Sequence, residues 1–209
     1  MAFIGILVVA WIVDWTFVFK VWPDGIDRLK GILAEDLARA RDLAQWQGGV
    51  PNTVAGTANF LYGVVFRFTG IHDMGMRFAE GAALSIPDTI VRNTYMANRE
   101  AIEVAMIGTQ LLGVRLATLA LILPLLVLMY AVAAADGLAQ RAIRRASGGR
   151  ESASLYHRAK HLQAAAVGTA VLTALLWPAA IEWLLSAIPL AAVVGVLARV
   201  QWAYYKKHL

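Results

Sequence analysis

Residues 136–162 read DGLAQRAIRRASGGRESASLYHRAKHL, a basic segment held between two long apolar runs. Arg141, Arg144, Arg145, Arg150, Arg158 and Lys160 face only Asp136 and Glu151 across it. On its N-terminal side, residues 116–135 contain no charge; on its C-terminal side, residues 163–181 contain none. About twenty apolar residues suffice to cross a bilayer as a helix. Short loops rich in Lys and Arg stay on the cytoplasmic side. The segment therefore predicts two spans joined by a cytoplasmic turn, with Gly148 and Gly149 as the turn residues.

Composition points the same way. Charged residues make up 16% of the chain, against roughly 25% in soluble domains, and mean hydropathy is +0.60. The net charge of +5 is read first as a topology signal. There is no cysteine, which excludes disulfides, thiol catalysis and zinc–thiolate sites.

Working outward, residues 2–22 form a first span, AFIGILVVAWIVDWTFVFKVW, read as an uncleaved anchor. Residues 163–185 form a third, bent at Pro178, and residues 189–204 a fourth, after a tight connection at Ser186–Pro189. The second span, about 113–135, lies inside one very long helix expected from Asp88 to Ala146, kinked at Pro124. Residues 24–103 carry eight basic against ten acidic side chains and fall outside the cytoplasm on this topology. They begin with an amphipathic helix presenting Ile26, Leu29, Leu33, Leu37, Ala40 and Ala44. A second helix follows over 54–69, and 70–76 reads as a loop or broken helix. The expectation is an all-α integral membrane protein, a single domain over 1–209. It has four transmembrane helices, an extracytoplasmic helical region, a basic loop at 136–162 and both termini in the cytoplasm.

Charges inside or at the edge of spans are costly and deserve a partner. Asp14 is read either as a proton or ion site or as a buried pair or a residue near the interface. Arg115 and Arg199 are read as anchors that snorkel to the interface. Glu182 is expected at the depth of Arg115 and is read as its ion-pair partner. His157 and His161 have the i, i+4 spacing of two metal ligands. No third ligand is near in sequence, so they are read as interfacial. Ala164-xxx-Gly168 and Ala191-xxx-Gly195 are small-residue pairs suited to close helix packing. No phosphate loop, nucleophile elbow or paired carboxylate occurs; the expectation is a protein without catalytic residues, metal or cofactor.

GRES at 149–152, YHRAK at 156–160, Asp136-Gly137-Leu138, the Arg144-Arg145 pair and the terminal aromatic-Lys-Lys-x-Leu at 205–209 carry a resemblance. The chain resembles the integrating conjugative element and plasmid transfer inner-membrane proteins, which are encoded beside the type IV coupling ATPase. The resemblance implies a bacterial inner-membrane component of conjugative DNA transfer and a membrane partner of that ATPase. The partner-facing set would be Arg141, Arg144, Arg145, Arg150, Glu151, Tyr156, His157, Arg158 and Lys160. Membrane lipids are further partners; homo-oligomerisation and direct DNA contact stay open. The competing reading is a small transporter or proton-conducting subunit using Asp14 and Glu182.

Overall fold

The computed structural model describes residues 2–46, 52–79, 86–147 and 153–205. The described chain is helical, with no strand. The helices are α1 (Ala2–Thr16, continued by a π-helical turn Phe17–Val21), α2 (Gly25–Trp46), α3 (Asn52–Tyr62, continued by a π turn Gly63–Arg67) and α4 (Ile71–Ala79). They are followed by α5 (Ile86–Ala97), α6 (Arg99–Ala146), α7 (Ala153–Leu176) and α8 (Trp183–Ala203). Four stretches are long and apolar enough to cross a membrane: Phe3–Val21, Arg99–Ala146, Ser154–Leu176 and Trp183–Ala203. The expected all-α architecture with four such helices, one of them very long, is the observed one.

The chain forms two compact units. Unit 1 comprises residues 1–118 and 175–180. The first turns of α6 are its central pillar. Val104, Ala105, Ile107, Leu111, Leu112 and Val114 are all buried there, leaving the face of Glu103, Met106 and Gln110 half-buried. A helix segment buried over so much of its surface needs several neighbours, and three helices pack against this one. From α1, the Trp11 indole donates to Thr109 Oγ1 (3.0 Å) and the Trp15 indole to the Ala101 carbonyl (2.8 Å). Residue numbers rise along α1 as they fall along α6, so the two run antiparallel. From α2, Leu29 and Ile32 join Val18, Val104, Ile107 and Leu111 in one core cluster. From α3, Ala58 crosses α6 at Gly113, where an added Cβ would lie 2.6 Å from the Ala58 Cα. Tyr62 and Phe66 pack with Ala105.

Unit 2 comprises residues 119–174 and 181–209. Here α8 lays a stripe of Trp183, Ala187, Ala191, Val194, Gly195 and Ala198 inward, at three- and four-residue spacing. Gly195 faces Met129 and Ala133 of α6, while Gly137 of α6 faces Arg199, Trp202 and Ala203 of α8. Numbers rise together, so α6 and α8 are parallel. Of the two small-residue pairs, the one at Ala191–Gly195 meets α6, whereas no described residue lies within 4 Å of a Cβ added at Gly168.

Several expected boundaries move. The helix expected from Asp88 to Ala146 is two, α5 and α6, parted at the single residue Asn98, whose side-chain amide donates to the Thr94 carbonyl (2.9 Å) while its N–H is shared between the Thr94 (3.2 Å) and Tyr95 (3.1 Å) carbonyls. Of the two readings for 70–76, a loop or a broken helix, the second is the observed one: the helix breaks at Gly70 and α4 starts at Ile71. Gly70, at φ +75°, ends the preceding turn, and Met74 N–H then bonds to its carbonyl. Pro178 does not bend the third span but ends it: α7 stops at Leu176. The expected connection at Ser186–Pro189 lies inside α8. There Ser186 N–H bonds to the Glu182 carbonyl and its hydroxyl to Trp183 O, closing the first turn. The 136–162 loop is two helix ends, α6 to Ala146 and α7 from Ala153. Gly148, Gly149, Arg150, Glu151, Ser152 and residues 206–209 lie outside the described residues.

Gly113→Val should lower thermal stability in detergent by about 1–3 kcal/mol, the usual cost of overpacking. Gly168→Val should stay within about 0.5 kcal/mol, the range of unconstrained surface changes. Equal loss in both would contradict the crossing of α3 on α6.

Candidate interaction site

Two clusters of charge stand out, one in each unit. In unit 1, Arg115 is 1% exposed and Asp36 0% exposed. The Arg115 Nε donates to Asp36 Oδ2 at 2.9 Å. Its two terminal nitrogens donate to the carbonyls of Leu175 (3.3 Å), Trp177 (2.7 Å) and Ala179 (2.9 Å). A helix leaves its last carbonyls without intrahelical partners, and Pro178 ends α7 by withholding an N–H. One guanidinium takes up the carbonyls around that break, where the helix dipole also favours a cation.

Arg115 is thus not a snorkelling anchor: it is enclosed by the pillar and its ion pair is with Asp36. Sequence reading named Glu182 instead. Glu182 stands immediately before α8 without capping it through its side chain. Asp36 was missed because α2 has two readable stripes. The observed one is Leu29, Ile32, Asp36, Ala40 and Ala44. A carboxylate four residues from Ile32 and four from Ala40 was the available signal, since a charge on an apolar face needs a buried partner.

Asp14 is also buried, at 8% exposure, and faces another helix as expected of an intramembrane charge. Its carboxylate lies against Gly108, where any Cβ would collide with it. No hydrogen bond or ion pair to it is found among the described residues. Elsewhere in unit 1, the Tyr62 hydroxyl lies 2.7 Å from His72 Nδ1, and burial pushes that hydroxyl's pKa up. At the surface, Lys30 meets Glu103 at 2.8 Å, and the hydrogen bond, then the charge of Glu103, hold the ammonium above its usual range.

In unit 2 the basic side chains divide by orientation. Arg144 donates to the Ala203 carbonyl (3.1 Å) and its guanidinium lies 4.0 Å from the Tyr204 ring centroid. Arg141 sits 5.4 Å from the Tyr205 ring. Arg199 is paired with Asp136. Tyr156 packs edge-on to Tyr205, and the Trp202 indole donates to the Tyr130 hydroxyl (2.9 Å). These residues fasten the end of α8 to α6 and α7. Arg145, His157, Arg158 and Lys160 are exposed. Of the described members of the expected partner-facing set, Arg141, Arg144 and Tyr156 are thus engaged in internal packing, while Arg145, His157, Arg158 and Lys160 are exposed. Arg199, expected to snorkel, is held in a surface ion pair.

The sequence model of the family described as IncC plasmid conjugative DNA transfer protein DtrJ-like matches residues 29–206. The chain belongs to the DtrJ-like family. No curated protein and no solved structure matches it. Membership gives this DtrJ-like protein a role in conjugative DNA transfer. The match takes in both clusters: Asp36, Arg115 and the 175–179 carbonyls, and the whole basic end up to Lys206.

For this DtrJ-like protein, Asp36→Ala and Arg115→Met should each cost about 3–5 kcal/mol, because each strands one buried charge. The double change Asp36→Leu with Arg115→Met should recover part of that loss. A double-mutant cycle on detergent-solubilised protein reads the coupling; additive losses would contradict the pair.

Proposed function

We propose that the chain is a non-enzymatic inner-membrane component of a conjugative DNA-transfer system and a membrane partner of its coupling ATPase. The observation that carries this reading is the division of labour at the basic end of unit 2. Arg144 and Arg141 are held against Tyr204 and Tyr205, while Arg145, Arg158 and Lys160 extend into solvent from α6 and α7. Exposed cations beside a braced helical end suit docking of an acidic protein face, which governs encounter and register more than raw affinity.

The membership in a conjugative transfer family supplies the context. Four apolar helices support a membrane location. By the positive-inside rule the basic end and the C-terminus face the cytoplasm, where a DNA-pumping motor works. In this reading the same cations also meet anionic lipid, at roughly 1 kcal/mol per charge. Lipid contact orients the protein; the motor supplies the specific partner.

Arg145→Glu, Arg158→Glu and Lys160→Glu together should lower conjugation frequency by at least about tenfold, the effect of losing a few rim charges, with normal membrane level and topology. Co-purification with the coupling ATPase should fall in parallel. Arg144→Glu should instead lower the protein's own stability. Unchanged transfer in the triple variant at normal protein level would refute the docking role of this end.

A further inference from the structure

Unit 1 contains an open cavity of about 570 Å³, walled by Trp11, Trp15, Phe66, Ile71, Val91 and Ala105 among others. Its size lies within the usual range for small-molecule sites, roughly 300–1,000 Å³. The chemistry of the walls narrows the occupant. Both indole N–H groups are already used, on Thr109 and on the Ala101 carbonyl. The Thr94 hydroxyl and Asn98 amide at its edge donate to Ile90 and Thr94 carbonyls. Tyr95 and Asn98 add a hydroxyl and an amide oxygen to the lining, but most of what faces the cavity is ring faces and aliphatic groups, so a strongly polar occupant would leave most of its groups unsatisfied.

The same helices present apolar side chains outward. Ile4, Val8, Val9, Ile12 and Phe19 of the α1 span are exposed, and so are Phe60, Val64 and Phe68 at four-residue spacing along α3 and its π turn. Surfaces of this kind are solvated by acyl chains. Arg67, directly after the Phe66 wall, is exposed, lies 5.9 Å from the Tyr62 ring and makes no ion pair among the described residues. It offers a cation to a headgroup phosphate, as arginine commonly does.

We propose that this cavity is a lipid site that takes one acyl chain of an anionic phospholipid between Trp11, Trp15 and Phe66, with the phosphate drawn to Arg67. The site is separate from the basic end of unit 2 and from the docking role assigned there.

The test places the photo-crosslinker benzoylphenylalanine at Val91 in the full chain and irradiates native membranes. The expected product is a phospholipid adduct on the peptide carrying residue 91, enriched in phosphatidylglycerol. Ala101→Phe, which fills the cavity, should lower that adduct about tenfold, the scale of overpacking expressed as occupancy. Arg67→Glu should shift the adducts toward zwitterionic lipids. The same crosslinker at Leu185 on α8 controls for general lipid contact and should be unaffected. If Ala101→Phe fails to reach the membrane, Thr94→Phe narrows the same space from α5 and is read in its place. Lipid adducts that persist in the filled variant would mean ordinary bilayer contact and overturn the proposal. A crosslinked membrane protein as the main product would put a partner helix there and overturn it as well, as would the absence of any adduct.

Discussion

One guanidinium holds unit 1 to its present arrangement. Arg115 is placed in the buried pillar of α6, where taking a charge from water costs several kcal/mol unless it is fully compensated. Compensation comes from Asp36 on α2 and from three carbonyls at the end of α7. Each partner is thereby fixed by the others. Asp36 commits an otherwise amphipathic helix to face α6, and the carbonyls fix where the chain stops being helical after Leu176. A buried ion pair of this type contributes definition of geometry more than net stability. Here it defines where three distant parts of the chain meet.

Unit 2 solves a different problem by other means. Its contacts are close backbone approach and ring packing, with Gly137 admitting α8 and an aromatic group of Tyr130, Tyr156, Trp202 and Tyr205 bracing the end. Arginines laid on tyrosine faces add cation–π attraction and keep part of their N–H fork available. The consequence for function is that basic residues adjacent in sequence do different jobs. Arg144 belongs to the frame and Arg145, one residue on, belongs to the surface.

The apolar blocks made the helices and the candidate spans legible, because a run of some twenty uncharged residues has few other structures open to it. The position where α7, the third candidate span, ends was not legible. Pro178 and Pro189 look alike in sequence, yet one ends a helix and the other sits within one. The difference is Arg115, some sixty residues away, which gives the carbonyls at Leu175, Trp177 and Ala179 a partner. Asp36 was missed for a related reason, since either of two stripes on α2 satisfies helical periodicity and only the location of the buried arginine selects between them. At the basic end, charge alone cannot tell a guanidinium lying on a ring, as at Arg144, from an exposed one, as at Arg145.

The Arg115 clamp grips main chain, and main chain is common to every residue. Substitutions at Leu175, Trp177 or Ala179 would leave those acceptor oxygens in the same places. Among natural variants, Arg115 should therefore change in step with Asp36 and not with the residues it caps. Contact inference from correlated substitutions would find the α2–α6 pairing and miss the joint at the end of α7. Half of this connection is written in backbone geometry and leaves no trace in an alignment.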